Sequence, residues 1–291
     1  MNNYAFGVCS CTLTAMASDG KLRVGIVGAS GFTGAELMRL IAAHPDMELA
    51  AASGDTQAGT KVRSLYPSLA ADFGDMTYSE YQPTLFEGLD AVFLGLPHMA
   101  SQPIVADLYQ KVGCILDLGS DFRLKDPALY PQWYQTDHVM PELLDEFVYG
   151  LPELYRTDLK GARGVAVPGC YPTSASLALS PFAQQEKIHL TGVIVDAASG
   201  ISGAGRNPKP ETTFASVDEN FNAYGLLNHR HTPEIEQVTG CQVLFTPHLA
   251  PMVRGILATC YARPIDPSFS TQNALEPVSY THLTLPTNRE V

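Results

Sequence analysis

Apolar and polar positions set out the chain before any single residue does. Residues 21–27 alternate and are rich in β-branched side chains, which predicts a buried strand. A glycine-bearing turn follows, and residues 35–43 read as a helix stopped by His44-Pro45. Residues 47–52 and 90–96 form two further apolar runs of strand length, the second ended by Pro97. A helix over 102–112 and a strand over 114–118 complete the series. Strands alternating with helices imply an α/β fold with a doubly wound parallel sheet.

The pattern then changes. Residues 124–154 are rich in Pro, Tyr and acidic side chains, include the single Trp133, and read as an irregular connection with short helices. A short strand over 164–167 runs into Pro168-Gly169, and a helix is expected over 171–184. Strands are expected at 193–196, 243–245 and 256–261, with little obvious helix between the later ones. The second half thus reads as an α+β domain. The expected division is an extension over 1–20, a nucleotide-binding domain over 21–169, a catalytic domain over 170–275, and a tail over 276–291 that has no apolar period. Ala15-Met16-Ala17 resembles a signal-peptidase site, but no Lys or Arg precedes Lys21, so an upstream extension with Met16 as a start is the reading preferred.

Composition narrows the function classes. A chain of 291 residues with 45% hydrophobic and 16% charged residues has the makeup of a soluble globular protein. A formal net charge of −12 argues against nonspecific binding to nucleic acid or anionic membrane, because both require a basic face. No apolar run reaches the length of a membrane span. Six cysteines without a C-x-x-C pair suit a reducing cytoplasm and no metal site.

Two glycine loops carry candidate chemistry. Gly28-Ala29-Ser30-Gly31-Phe32-Thr33-Gly34, between a strand and a helix, is the dinucleotide-binding arrangement with shifted glycine spacing. Where NAD-preferring sites place a carboxylate, this chain has Ala52-Ser53-Gly54-Asp55. Ser53, aided by Lys61 or Arg63, suits a 2′-phosphate and hence NADP(H), while Asp55 argues the other way. Ser199-Gly200-Ile201-Ser202-Gly203-Ala204-Gly205-Arg206 is the second loop. Its amides and Arg206 suit a carboxylate or phosphate. Arg123, at the end of Asp117-Leu118-Gly119-Ser120-Asp121-Phe122-Arg123, and Arg254 are further anion candidates.

Cys170 in Pro168-Gly169-Cys170-Tyr171-Pro172-Thr173 lies where a strand ends and a helix begins. A helix N-terminus favours a thiolate, which makes Cys170 the candidate nucleophile. A thiolate needs a proton partner. In His229-Arg230-His231, an extended backbone would turn both imidazoles the same way. A zinc site there lacks a third ligand at suitable spacing.

Taken together, the two glycine loops, Asp117 to Arg123, Pro168 to Thr173, His229-Arg230-His231-Thr232-Pro233-Glu234-Ile235 and Phe245-Thr246-Pro247-His248-Leu249 resemble the N-acetyl-gamma-glutamyl-phosphate reductase family, relatives of aspartate-semialdehyde dehydrogenase. The likeness runs over about 21–263. It implies a Rossmann domain followed by an α+β domain that carries the nucleophile and builds a homo-oligomer. It also implies NADPH-dependent reduction of a small acyl phosphate through a thioester on Cys170. His229 and His231 match the family's histidine pair, with His231 the preferred acid–base. On this reading Gly28, Ser30, Gly31, Phe32, Thr33, Gly34, Ser53, Ser202 and Gly203 hold the cofactor, while Arg123, Ser199, Arg206 and Arg254 hold the substrate. Family members continue beyond Arg263 with further strands and a final helix, where this chain has the odd tail. Alternatives are a reductase of aspartyl phosphate or of carrier-bound aminoadipyl phosphate, an NADP-binding regulatory protein, and an inactive fragment.

Overall fold

In the computed structural model, which describes residues 20–281, the first alternating run becomes strand β1 (Leu22–Val27). Helix α1 (Phe32–Ala43), β2 (Met47–Ser53), β3 (Ala91–Leu94), α2 (Gln102–Leu108) and β4 (Cys114–Asp117) follow. Two short strands, β5 (Phe147–Tyr149) and β6 (Gly164–Ala166), complete a six-stranded sheet in the order β2-β1-β3-β4-β6-β5. Every pairing in it is parallel. The strand order reverses between β1 and β3, which makes the carboxyl ends of those two strands the topological switch point.

This sheet belongs to the first of two compact units, formed by the chain up to Lys125 with His138–Gly150 and Tyr155–Val167. Val24 and Ile26 of β1 and Met38 and Ile41 of α1 are almost wholly buried and pack together. Under the far edge, Phe122 stacks on Phe147 with ring centroids 4.1 Å apart. Residues 124–154 are less irregular than expected, because Phe147–Tyr149 pairs with β6 as an edge strand. Three residues are too few to show a period, so the strand owes its existence to its neighbour.

The second unit gathers Asp126–Asp137, Leu151–Leu154 and the chain from Pro168 onward, where a single cut at 169/170 was expected. It contains α3 (Leu129–Tyr134), α4 (Cys170–Ala183), β7 (Val193–Ser199), β8 (Asn222–Ala223), α5 (Thr232–Thr239), β9 (Val243–Leu249), β10 (Ile256–Tyr261) and α6 (Thr271–Thr281). Its sheet runs β10-β7-β9-β8, with β7 and β9 parallel and the outer pairs antiparallel. One face, with Val193, Val195, Ala197, Val243 and Phe245, packs on Ala175 and Leu179 of α4 and Ile235 of α5. The α/β plus α+β architecture read from the sequence is therefore borne out. Helix α5 was not foreseen, since its eight residues hold only two buried aliphatic side chains, Ile235 and Val238. Helix α6 runs into the segment set aside as a tail, through Pro277 to Thr281. Residues 1–19 and 282–291, with Cys9, Cys11, Met16 and His282, lie outside the described residues.

Truncating a fully buried aromatic costs about 3–5 kcal/mol through lost transfer energy and a cavity. Phe122→Ala is expected to lower unfolding stability by that amount, read from the urea midpoint. A loss below about 1 kcal/mol would show that the Phe122–Phe147 stack is not part of the core.

Candidate active site

The glycine turn after β1 assigns a different task to each glycine. Gly28 has φ +85°, and a Cβ there would lie 2.4 Å from the Gly95 carbonyl oxygen. Gly34 sits in the first turn of α1, where a Cβ would strike the Ala29 backbone at 2.5 Å. At Gly31 the nearest atom is 3.6 Å away, so that glycine is not demanded by packing. Two glycines thus serve the close packing of strand, turn and helix, and the middle one would accept a Cβ at ordinary contact distance. Helix α1 starts at Phe32, three residues earlier than expected, so its amides face the turn directly. No side chain caps it and no acidic residue stands in its first turn. An uncapped helix N-terminus fits a pyrophosphate. The Ser53 carbonyl accepts the N–H groups of Gly28 (3.1 Å) and Ala29 (2.8 Å), which ties the turn to β2. Ser30 is buried and its Oγ donates to the Gly54 carbonyl at 2.9 Å. Lys61 and Arg63 both pair with the exposed carboxylate of Asp75. Exposed pairs of this kind hold weakly.

In the second unit, Cys170 is the first residue of α4, with Gly169 as the cap. No side chain caps this end and its first turn has no acidic residue, so the helix dipole favours negative charge on Sγ. Cys170 is exposed, whereas Cys114 and Cys241 are buried and Cys260 is half-buried. Burial pushes the Cys260 thiol up to about 11 and the Cys241 thiol up as well, which keeps both protonated. Pro172 stands in the first turn, where a missing N–H costs nothing.

The histidine pair arrives at the start of α5. His231 is its N-cap with φ −81° and ψ −11°, so the backbone turns at the pair and is not extended there. The rings still meet, 4.8 Å between centroids. His229 Nδ1 accepts the His231 backbone N–H at 3.1 Å. Its ring lies edge-on to Tyr171 (5.6 Å), Tyr224 (5.5 Å) and Phe245 (5.2 Å). Burial in this aromatic box, then the Arg230 charge, lowers the His229 pKa to about 4. His229 is therefore neutral at pH 7, with its proton on Nε2. The Tyr171 hydroxyl lies 2.9 Å from that of Tyr224 and donates to the His248 carbonyl at 3.3 Å. Burial foremost raises both phenols above their ordinary range.

Residues 23–162 match the family model for the semialdehyde dehydrogenase NAD binding domain, and residues 170–279 match that for its dimerisation domain. The N-acetyl-gamma-glutamyl-phosphate reductase of Symbiobacterium thermophilum is 46% identical over 82% of this chain and 71% of its own length. That of Geobacter sulfurreducens is 42% identical over 87% of this chain and 75% of its own. The chain belongs to the N-acetyl-gamma-glutamyl-phosphate reductase family. Among solved structures, aspartate semialdehyde dehydrogenase from Candida albicans, determined with NADP, shares the fold at a TM-score of 0.64 and 14% identity, covering 90% of this chain and 75% of that one. Aspartate semialdehyde dehydrogenase II from Vibrio cholerae gives 0.63 and 14%, covering 88% and 78%.

Within this reductase family member, the other expected anion contacts divide. Arg123 is corrected. It is 4% exposed, and its Nε and Nη2 donate to the carbonyls of Val167 and Leu118, both at 2.8 Å. That guanidinium ties the end of β4 to the segment after β6, and it is not presented as a phosphate contact. Ser199 is buried at the end of β7, with its Oγ donating to the Gly200 carbonyl at 3.0 Å. Ile201–Ala204 is one turn of 3₁₀ helix, with Gly203 exposed and Ser202 half-buried. The Ser202 N–H donates to the Val253 carbonyl at 3.0 Å, and a Cβ on Gly200 would lie 2.6 Å from the Arg254 nitrogen. The second glycine loop and the Arg254 loop are thus packed together, with Arg254 exposed and Arg206 half-buried. Phe32 and Thr33 are exposed at the head of α1.

Sequence reasoning missed Glu234. It is fully buried on α5, and its Oε1 accepts the Gly169 N–H at 2.8 Å, directly before Cys170. A carboxylate three residues after His231 was the available signal, but Glu at that helix position is ordinary.

Because the His229 pKa is depressed below 6.5, its stabilising effect is complete above pH 6.5 and is lost as the pH falls towards 4. NMR titration of the His229 imidazole is expected to give a midpoint near 4. A midpoint near 6.5 would mean that the aromatic box does not desolvate the ring.

Proposed function

We propose that this chain reduces N-acetyl-L-glutamyl 5-phosphate to N-acetyl-L-glutamate 5-semialdehyde and phosphate, with NADPH, as a cytoplasmic step of arginine biosynthesis. The observation that carries this reading is Cys170, exposed at an uncapped helix N-terminus, in the unit that holds two adjacent imidazoles. The Cys170 thiol gives its proton to His231, and the thiolate attacks the acyl carbon. Backbone N–H groups at the start of α4 stabilise the oxyanion. The carbon–oxygen bond to phosphate breaks, which leaves a thioester on Cys170. NADPH, when bound at the Gly28–Gly34 turn, supplies the hydride that a thioester accepts and a carboxylate does not. The carbon–sulfur bond then breaks, which releases the aldehyde and restores the thiolate.

Several observations support the assignment of roles. His229, neutral at pH 7 with a pKa of about 4, is a weak base, which leaves the proton transfer to His231. His229 holds the His231 backbone through Nδ1. Arg206 and Arg254, in paired loops at the end of β7, are the cations for the substrate's carboxylate and phosphate. Lys61 and Arg63, recruited from their weak pairing with Asp75, are the cations for the 2′-phosphate of NADP(H), while Ser53 at the end of β2 is itself buried.

The open face of the β10-β7-β9-β8 sheet is the surface for self-association. Tyr261, Ile194 and Leu244 stand directly opposite one another across three strands and are exposed. Leu257 is 68% exposed on the same face. A continuous apolar row of this kind marks a protein–protein contact.

Phosphate-dependent oxidation of N-acetyl-L-glutamate 5-semialdehyde with NADP is expected of the wild-type chain, with aspartate semialdehyde a poor competitor. Cys170→Ser is expected to lower turnover by about a thousandfold or more while NADPH binding persists, since the alcohol is a far weaker nucleophile. Near-normal turnover in that variant rules out the thioester route. Leu244→Asp is expected to convert the oligomer to monomers in analytical ultracentrifugation without changing the far-ultraviolet circular dichroism. An unchanged sedimentation coefficient would place the interface elsewhere.

A further inference from the structure

The Asp117–Arg123 motif sits at the carboxyl end of β4 but offers no cation to a ligand, and its two carboxylates are turned inward. Asp117 and Asp121 are both fully buried. Asp121 gathers three backbone amides from the segment after β3: Oδ2 accepts the Met99 N–H at 2.7 Å, and Oδ1 accepts those of Ser101 (2.8 Å) and Gln102 (3.2 Å). Asp117 Oδ1 accepts the Ser101 hydroxyl at 2.6 Å and the Gly119 N–H at 2.9 Å, while its Oδ2 makes no hydrogen bond. Gly119 is forced by this crowding, since a Cβ there would lie 2.7 Å from Ser101 Oγ and 2.9 Å from Asp117 Oδ1. The motif is a clamp closed around residues 99–102.

The clamped segment has unusual conformation and position. Met99 adopts φ +61°, a left-handed conformation that a side chain with Cβ rarely takes without compensation. Pro97 and His98 beside it are exposed. The segment leaves β3 at Leu94, which pairs in register with Val27 of β1, and the Gly95 N–H donates to the Val27 carbonyl at 2.8 Å. It therefore begins at the switch point, across from the Gly28 turn, where open parallel sheets bind their ligands. A backbone held in a strained shape by a buried charge, at the mouth of a binding crevice, is the mark of pre-organisation. Burial foremost, then the Asp121 charge, pushes the Asp117 carboxyl up to about 7. Burial foremost raises the Asp121 carboxyl as well, opposed by the three backbone amides that it accepts.

We propose that Asp121 is a positioning residue for NADP(H): by holding the amides of Met99, Ser101 and Gln102 it fixes the turn at 97–100, with Pro97 and His98 exposed, as one wall of the cofactor crevice. This rests on the cofactor reading given above. Asp121 itself touches no reacting atom.

Asp121→Asn keeps the size of the side chain. It turns an amide NH2 towards either the Met99 N–H or the Ser101 and Gln102 amides, so the set of three acceptor contacts is lost. Hydrogen bonds to a charged acceptor are strong enough that losing one weakens a dependent equilibrium by about tenfold or more. On the full chain, the NADPH dissociation constant of Asp121→Asn, read by nicotinamide fluorescence, is expected to rise about tenfold. Turnover at saturating NADPH and the KM for the acyl phosphate are expected to stay within about twofold. Phe122→Leu, next to the clamp but in the core, is expected to lower the unfolding midpoint without changing NADPH affinity. Unchanged affinity in Asp121→Asn, with wild-type binding intact, overturns the proposal alone. Equal weakening in Phe122→Leu also overturns it, because the effect would then be one of general stability. Failure of the wild-type chain to bind NADPH overturns the cofactor reading and the proposal together.

Discussion

The hydrogen bond from the Gly169 amide to the buried Glu234 carboxylate joins the cysteine motif and the histidine motif of the second unit. One end of it fixes the backbone immediately before Cys170, and the other lies on the helix that follows the histidine pair. Removing a carboxylate from water costs several kcal/mol, and such a group persists only where its contacts repay that cost. Here the donor is the cap of α4, so the start of that helix, the exposed sulfur of Cys170 and the imidazoles at the head of α5 are held in one frame. The aromatic box of Tyr171, Tyr224 and Phe245 adds a second constraint, because it keeps the His229 imidazole neutral.

The two units solve a similar problem by similar means. Each starts a long helix on a glycine, with no side-chain cap and no acidic residue in the first turn. In the first unit the resulting partial positive charge suits the phosphates of a dinucleotide. In the second it suits a thiolate on Cys170. An acidic chain of net charge −12 can therefore handle anionic ligands, since the favourable field is local to two helix ends and a few loop cations.

Buried polar groups in the first unit do structural work that resembles ligand binding when seen only as sequence. Arg123 spends its guanidinium on carbonyls at strand ends, and Asp121 spends its carboxylate on amides at the start of α2. Both sit at the sheet edge where ligands bind, so position alone does not distinguish a contact with a ligand from a contact with the wall that shapes its site.

Much was legible in the linear chain, for reasons of local physics. The period of apolar residues located β1, β2, β3, β4 and α4, and three glycines between a strand and a helix located the turn that only glycine can make at Gly28 and Gly34. A cysteine at a strand-to-helix junction singled out Cys170 as the candidate, because helix starts favour anions wherever they occur. The sequence did not disclose β5, α5, the burial of Arg123 or the part played by Glu234. Those depend on partners 17 to 65 residues away in the chain: Phe147 of β5 on Gly164, 17 positions on, the Arg123 Nε on the Val167 carbonyl, 44 positions on, and Glu234 on Gly169, 65 positions back. Propensity and spacing report what a segment prefers by itself. Whether a charged side chain meets solvent, a ligand or a backbone carbonyl is decided only when packing sets which groups lose water together.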